Sequence, residues 1–319
     1  MSRRASIIAG SAFILLAIGL AVSRWLPGTQ PSSPHVVVAG GDAGGLPRAL
    51  PADERIDAAA LERALQDPAA AQLSAFVVMR DEYLVFERYG SGLAADSIID
   101  GGHFAEGLIA MAAGAAAGQG ALNPDTLRGF DPDALRAAIE SATQQPYGSY
   151  LSNRIWRPIN AAQAWIELPA NGAATPADCC LHARVLDWMR VGGLLVGDGR
   201  FEGKRVLPTG WTQRMARPLS LDAVRGLGLQ LAPAAHGAEP FATPGVLFLR
   251  GPDHWRLWLV PTLKLAVLFG AAAPTPATGA ARTGDWDETR LANLVIRAVS
   301  DRPAQPGDVG DLQRLVPGH

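Results

Sequence analysis

The stretch "HFAEGLIAMAAGAAAGQG", residues 103–120, constrains the fold of this chain more than any other. From Gly107 to Gly118 it holds six alanines, three glycines, one leucine, one isoleucine and one methionine, with no charge. A helix of that composition has no polar face to give to water, so it is expected to lie inside the protein, packed closely against its neighbours. Its first turn carries His103 and Glu106, which a spacing of three puts on one helix face. Three readings of the pair stand side by side. It is a hydrogen-bonded pair at the helix start, where the macrodipole favours glutamate. It is a general-base dyad, in which a carboxylate raises the basicity of an imidazole. Or it is two ligands of an H-x-x-E metal site that lacks an evident third ligand.

The rest of the chain limits the function classes. With 319 residues, 48% hydrophobic and 18% charged, it has a globular composition. A net charge of −2 leaves no electrostatic footprint for nucleic acid. Residues 1–26 read as a membrane anchor or signal segment. Arg3 and Arg4 precede an uncharged run from Ala5 to Val22, about 27 Å long as a helix. The arginines favour a cytoplasmic N-terminus, and Trp25 suits the far interface. A cleavable signal ending near Ala21-Val22-Ser23 is the rival reading. The expectation is a single-pass anchor in a bacterial inner membrane, with the domain in the periplasm. Cys179 and Cys180 are the two cysteines, and neighbours reach disulfide geometry only with backbone distortion, so two thiols are expected.

Residues 27–54, rich in Pro, Gly and Ser, read as a flexible linker. The "VVVAGGDAGG" inside it has the wrong glycine spacing for a dinucleotide fingerprint, and Pro47 and Pro51 spoil the helix that should follow. Residues 55–302 form the domain, and 303–319 a C-terminal tail. Helices are expected at 56–72, from the 103 region onward, at 133–143 and over "VLDWMRVGGLLVGDG", where glycine closes the helix. "FVVMRDEYLVFERYG" reads as two strands around a tight Arg80-Asp81-Glu82 turn. "GLGLQLA", "GVLFLRG", "HWRLWLVP" and "KLAVLFGAA" are further strands, and "WDETRLANLVIRAVSD" a closing amphipathic helix. Two strands, then helices, then several strands and a helix predict an α+β fold, an antiparallel sheet flanked by helices. Trp255 and Trp258 are expected to pack in the core, and Asp187 and Arg190 to form a structural pair along one helix.

Several of these segments, in this order, resemble the serine β-lactamase and penicillin-binding protein superfamily. "VVMRDEYLVFERYGSG" is similar to its opening hairpin, and "YLSNRIWRPINA" to its "yl-x-x-R-i-w-x-P-l" segment. "CCLHARVLDWMRVGGLLVGDGRFEGKRVLP" resembles the corresponding helix and turn of the esterase and 6-aminohexanoate-dimer hydrolase branch. "HWRLWLVPTLKLAVLFG" resembles the paired closing strands. The resemblance implies a β-lactamase/transpeptidase-like domain from Phe76 to Ser300, with a reduced helical subdomain.

Enzymes of this kind use a serine one turn before a lysine (S-x-x-K), a Y-x-N motif and a K-T-G or H-x-G strand. The resemblance puts His103 where the serine belongs and Glu106 where the lysine belongs. The Y-x-N positions fall on Leu127-Arg128-Gly129, and the third motif on Pro252-Asp253-His254. Only Lys204 and Lys264 are lysines, and three residues before them stand Phe201 and Pro261, so the chain has no S-x-x-K. It has no G-x-S-x-G elbow either, and Arg282-Thr283-Gly284 mimics K-T-G only beyond the last strand. The expected function is therefore a membrane-tethered, catalytically degenerate member that binds or scaffolds. No catalytic residue is assigned; the degenerate site positions are His103, Glu106, Pro252, Asp253 and His254. No cofactor and no metal are expected, and the expected partner is a cell-envelope protein or a peptidoglycan-type ligand. The alternative is a hydrolase of esterase or amidase type, rearranged around His103 and Glu106.

Overall fold

In the computed structural model, the described residues are 33–70, 73–127, 129–169, 180–219, 224–231, 240–252, 254–271 and 288–303. β1 (His35–Val38) comes first, then α1 (Ala58–Gln66), whose start is capped by the Asp57 carboxylate accepting from the Ala60 N–H. The hairpin follows as β2 (Leu73–Arg80) and β3 (Tyr83–Tyr89). Asp81 and Glu82 turn it with φ of 49° and 72°, both in the left-handed region that a two-residue hairpin loop requires. After β4 (Ile98–Asp100) comes α2 (Phe104–Gly118), then α3 (Pro132–Thr143), which Asp131 caps and Pro132 opens. α4 (Tyr147–Leu151) runs into a π-helical turn at Ser152–Trp156. β5 (Ala164–Glu167), β6 (Leu181–Arg184) and α5 (Val185–Val196) follow, then β7 (Arg200–Phe201), β8 (Lys204–Arg205) and α6 (Trp211–Met215). The last elements are β9 (Gln230–Leu231), β10 (Leu247–Arg250), β11 (Arg256–Val260), β12 (Leu265–Ala271) and α7 (Glu288–Ala298).

Six strands form one antiparallel sheet in the order β3-β2-β12-β11-β10-β9. The alternation within its strands divides the core in two. Val77, Met79, Leu257, Leu259, Ala266 and Leu268 face α2 and α5. Phe76, Val78, Trp258, Val267 and Phe269 face α1 and α7. A one-residue slip in β2 would exchange these two sets, so its register is strongly specified. α2 is buried from Phe104 to Ala116, as its composition demands. Its small residues admit partners directly: at Gly114 a Cβ would come within 2.4 Å of the Trp211 indole nitrogen, whose N–H donates to the Ala110 carbonyl. A second sheet, ordered β1-β5-β6-β4, carries the chain into α2.

The sequence expectations meet different outcomes. Among the described residues no helix is long and apolar enough to cross a membrane, and the expected anchor at 1–26 lies outside them. Residue contacts divide the chain at Ser32/Ser33. Residues 33–54, assigned to a linker from their Pro and Gly content, are laid along the domain. β1 pairs with β5, the Gly41 N–H donates to the Ala161 carbonyl at 2.8 Å, and the Leu84 N–H donates to the Pro47 carbonyl at 2.8 Å. The glycines let this strap lie flat against other backbone. Of "GLGLQLA", Gln230–Leu231 is strand and Gly226–Leu229 forms a tight loop in which the Gly226 N–H donates to the Leu229 carbonyl, while Ala232 lies outside the described residues. Cys180 is disulfide-bonded with φ of 69°, which corrects the expectation of two thiols; Cys179 lies outside the described residues. Trp255 and Trp258 are in the core, on opposite faces of β11's sheet, with Trp258 packed on Phe248 at 4.6 Å between ring centroids.

Candidate functional site

The N-terminus of α2 is set by what precedes it. β4 pairs with β6, and the Asp100 carboxylate accepts from the Gly102 N–H at 2.8 Å, turning the chain sharply. Gly102 has φ of 48°, and a Cβ there would come within 2.8 Å of the Pro252 ring, so glycine is required twice over. His103 is the N-cap, with its side chain 58% exposed. Phe104 anchors the first turn edge-on against Trp188, at 5.1 Å between ring centroids.

From this platform the His103 Nδ1 lies 3.2 Å from Glu106 Oε1. Glu106 is nearly buried, with its side chain 11% exposed, and Arg225 closes its other side: Nη2 is 3.2 Å from Oε2 and 3.4 Å from Oε1. A carboxylate taken this far out of water needs such partners, because its charge would otherwise be uncompensated. The result is a cation–carboxylate–imidazole chain running from Arg225 through Glu106 to His103.

Other expected site residues are distributed as follows. Pro252 packs beside Gly102, the residue before His103. His254 is partly buried in the β10–β11 hairpin, and Asp253 lies outside the described residues. Leu127 packs on the core, Gly129 is exposed with nothing within 4 Å of a Cβ, and Arg128 lies outside the described residues. Arg282-Thr283-Gly284 lies outside them as well. His182 sits on the four-stranded sheet, Nε2 3.0 Å from Glu167 Oε2 and stacked on Trp165 at 5.4 Å. The Ser33 hydroxyl, with His182, holds the Glu167 carboxyl below its ordinary value. Among the described residues no group of three His, Cys, Asp or Glu side chains could hold a metal ion.

Asp187 and Arg190 form the buried pair expected of them, Nε to Oδ1 at 3.5 Å. Arg190 also donates to the carbonyls of Ile159 and Gly44, which fastens the N-terminal strap, and to Glu202. Burial pushes the Asp187 carboxyl up to about 6, outweighing the Ala162 N–H and Arg190 that favour its charged form.

Arg225 is the residue that sequence reasoning missed. It is separated from Glu106 by 119 positions and stands immediately before "GLGLQLA", a segment read as a strand. The one available signal was a nearly buried carboxylate's need for a cation, and that need appears only once α2 is known to be buried.

Scanned against family models, the sequence matches none, and it matches no curated protein. Solved structures match the fold. A protein described as a 6-aminohexanoate-dimer hydrolase from Bacillus anthracis superposes with a TM-score of 0.60 at 14% identity, covering 84% of this chain and 90% of its own. A β-lactamase from Mycobacterium bovis gives 0.55 at 14% identity, covering 76% and 99%. A family VIII carboxylesterase gives 0.56 at 13% identity, covering 80% and 99%. The fold is that of the serine β-lactamase and penicillin-binding protein superfamily.

Proposed function

We propose that this chain is a catalytically degenerate protein of the β-lactamase fold that acts by binding, tethered to the bacterial inner membrane by residues 1–26 with its domain in the periplasm. One observation carries the loss of chemistry. Where the resemblance would place the nucleophile and its lysine, His103 and Glu106 are tied to each other and to Arg225. Acyl transfer needs a nucleophile with a base in hydrogen-bond reach. Here both positions are occupied by an ion-paired cluster with no hydroxyl or thiol in it. The Y-x-N positions, Leu127 and Gly129 among them, supply no hydroxyl or amide side chain either. Sites rather than folds carry function, so the shared fold supports a shared scaffold and a shared cleft location. A cell-envelope protein or a peptidoglycan-type ligand suits a domain on that side of the membrane.

A second reading draws on the His103–Glu106 contact itself. An imidazole 58% exposed and 3.2 Å from a carboxylate has the geometry of a general base that activates water. One experiment separates acyl-enzyme chemistry from both readings. The full chain is incubated with benzylpenicillin and with a fluorophosphonate, and its intact mass is measured. No covalent adduct is expected. A stoichiometric mass increase at any serine overturns the degenerate reading.

A further inference from the structure

A cavity of about 320 Å³ opens at the far end of β10 from His103. β10 begins at Leu247, which lines this cavity, and ends beside the Gly251–Pro252 turn that abuts Gly102 and Phe104. Four residues of strand separate the two places by about 14 Å. The cavity is therefore distinct from the His103 cluster. Its walls are apolar: Leu195, Leu231, Val246 and Leu247 are each buried and contribute to the lining. An apolar cavity of about 150 Å³ already admits a benzene-sized molecule, so this one has room for a larger single ring or a short chain. Its size also falls in the range of about 300–1,000 Å³ found for small-molecule sites.

Four polar side chains share the lining, Asp198, Thr212, Gln213 and Thr262, and the buried Thr212 hydroxyl already donates to the Leu195 carbonyl at 3.0 Å. The Asp198 carboxylate accepts from one backbone group, the Gly210 N–H, at 2.9 and 3.1 Å from its two oxygens. No cationic side chain among the described residues pairs with it. Nor do the Gln213 amide and Thr262 hydroxyl, both on exposed residues, hydrogen-bond to any described residue. The sequence holds 28 Lys and Arg residues, and several nearby are committed elsewhere. Arg205 donates to the Asp198 and Leu207 carbonyls, and Arg214 to Asp125 and the Pro124 carbonyl. The cavity thus combines an apolar interior with one negative charge and the side-chain oxygens of Thr212, Gln213 and Thr262, and no positive charge among its lining residues.

We infer that this cavity binds a small amphiphile bearing a primary ammonium group on an apolar body. The ammonium has three N–H donors and no acceptor. The Asp198 carboxylate, Gln213 Oε1 and Thr262 Oγ1 supply oxygens to receive them, and the apolar body lies against Leu195, Leu231, Val246 and Leu247. A carboxylate of similar shape meets Asp198 with like charge. A neutral alcohol keeps the apolar contacts but loses the charge-assisted bond, which is about twice as strong as a neutral one.

The test uses the full chain and three probes of one shape: cyclohexylamine, cyclohexanol and cyclohexanecarboxylate, titrated near pH 7.5 by ligand-observed NMR. The amine is expected to bind at least about tenfold more tightly than the alcohol, a factor of ten being about 1.4 kcal/mol. The carboxylate is expected not to bind. Asp198→Asn suits the residue's φ of 49° and keeps an oxygen for Gly210, and it is expected to bring the amine down to the alcohol's affinity. Ala216→Phe, which fills the cavity from the end of α6, is expected to abolish binding of both, with circular dichroism confirming the fold. Equal affinity for amine and alcohol overturns the inference. So do unchanged binding by folded Ala216→Phe, an unaltered amine preference in Asp198→Asn, and failure of the wild-type chain to bind the amine.

Discussion

Replacing Asp187 by Asn should remove a pH-dependent component of stability whose sign the buried pair determines. Asp187 is 5% exposed at its side chain and Arg190 3%; Oδ1 accepts from the Ala162 N–H at 3.1 Å, and Oδ2 has no hydrogen-bond partner. Burial dominates both members of the pair, pushing the aspartate up to about 6 and the arginine down from its ordinary value. An unfolded aspartate titrates near 3.9. Between those values the folded chain holds a proton that the unfolded chain has released, so stability falls as pH rises, by about 1.4 kcal/mol per pH unit. The contribution is fully present below about pH 3.9 and is lost as pH rises through 6. From about pH 4.5 to 7.5 it amounts to roughly 2 kcal/mol. Asn keeps an acceptor for Ala162 and has no proton to exchange. Urea unfolding of the full wild-type chain and of Asp187→Asn at four pH values across that range gives the difference curve, in which the other titrating groups cancel. Wild type should lose about 2 kcal/mol relative to the variant as pH rises. A flat difference, or one of opposite slope, would refute the claim that burial outweighs the ion pair.

The site and the anchor have their own tests. His103→Ser combined with Glu106→Lys should give a folded protein whose hydrolysis of nitrophenyl esters and a chromogenic cephalosporin stays within about tenfold of a His103→Ala control, since catalytic groups act as a unit. The resemblance places Leu127 and Gly129 at second-motif positions, without the partners a serine needs, and the lysine would stand beside Arg225 rather than a carboxylate. Turnover well above that control would mean the site was nearly intact. Fractionation with protease access should find the full chain in membranes with its domain facing the periplasm, as Arg3, Arg4 and the Ala5–Val22 run predict. A wholly soluble form trimmed near Ser23 would refute the anchor.

Much of the architecture was legible in the sequence, because the long elements carry a local signal. The uncharged run after Glu106 required a buried helix, and α2 is buried from Phe104 to Ala116. Short alternating or apolar runs marked β10, β11 and β12, the tight turn at 80–82 marked the β2–β3 hairpin, and a helix was expected at 133–143, where α3 lies. His103 and Glu106 were seen as a pair because helix geometry alone brings positions three apart together. The missing S-x-x-K is equally a property of the sequence.

What only the tertiary structure decided depends on contacts between distant residues. β1, β4, β5 and β6 are three or four residues long, too short for a periodic signal, and become strands by pairing with one another. Pro- and Gly-rich composition marks a segment that cannot form a helix, but it does not say whether that segment lies against a surface. Residues 33–54 do, held by the Ala161 and Leu84 backbones and by Arg190. Arg225 reaches Glu106 across 119 positions, and Asp198, Gln213 and Thr262 meet around one cavity from three separate segments. Local propensity reads neighbours along the chain. A buried charge finds its partner, and a cavity its lining, only through the packing of elements that are far apart in sequence.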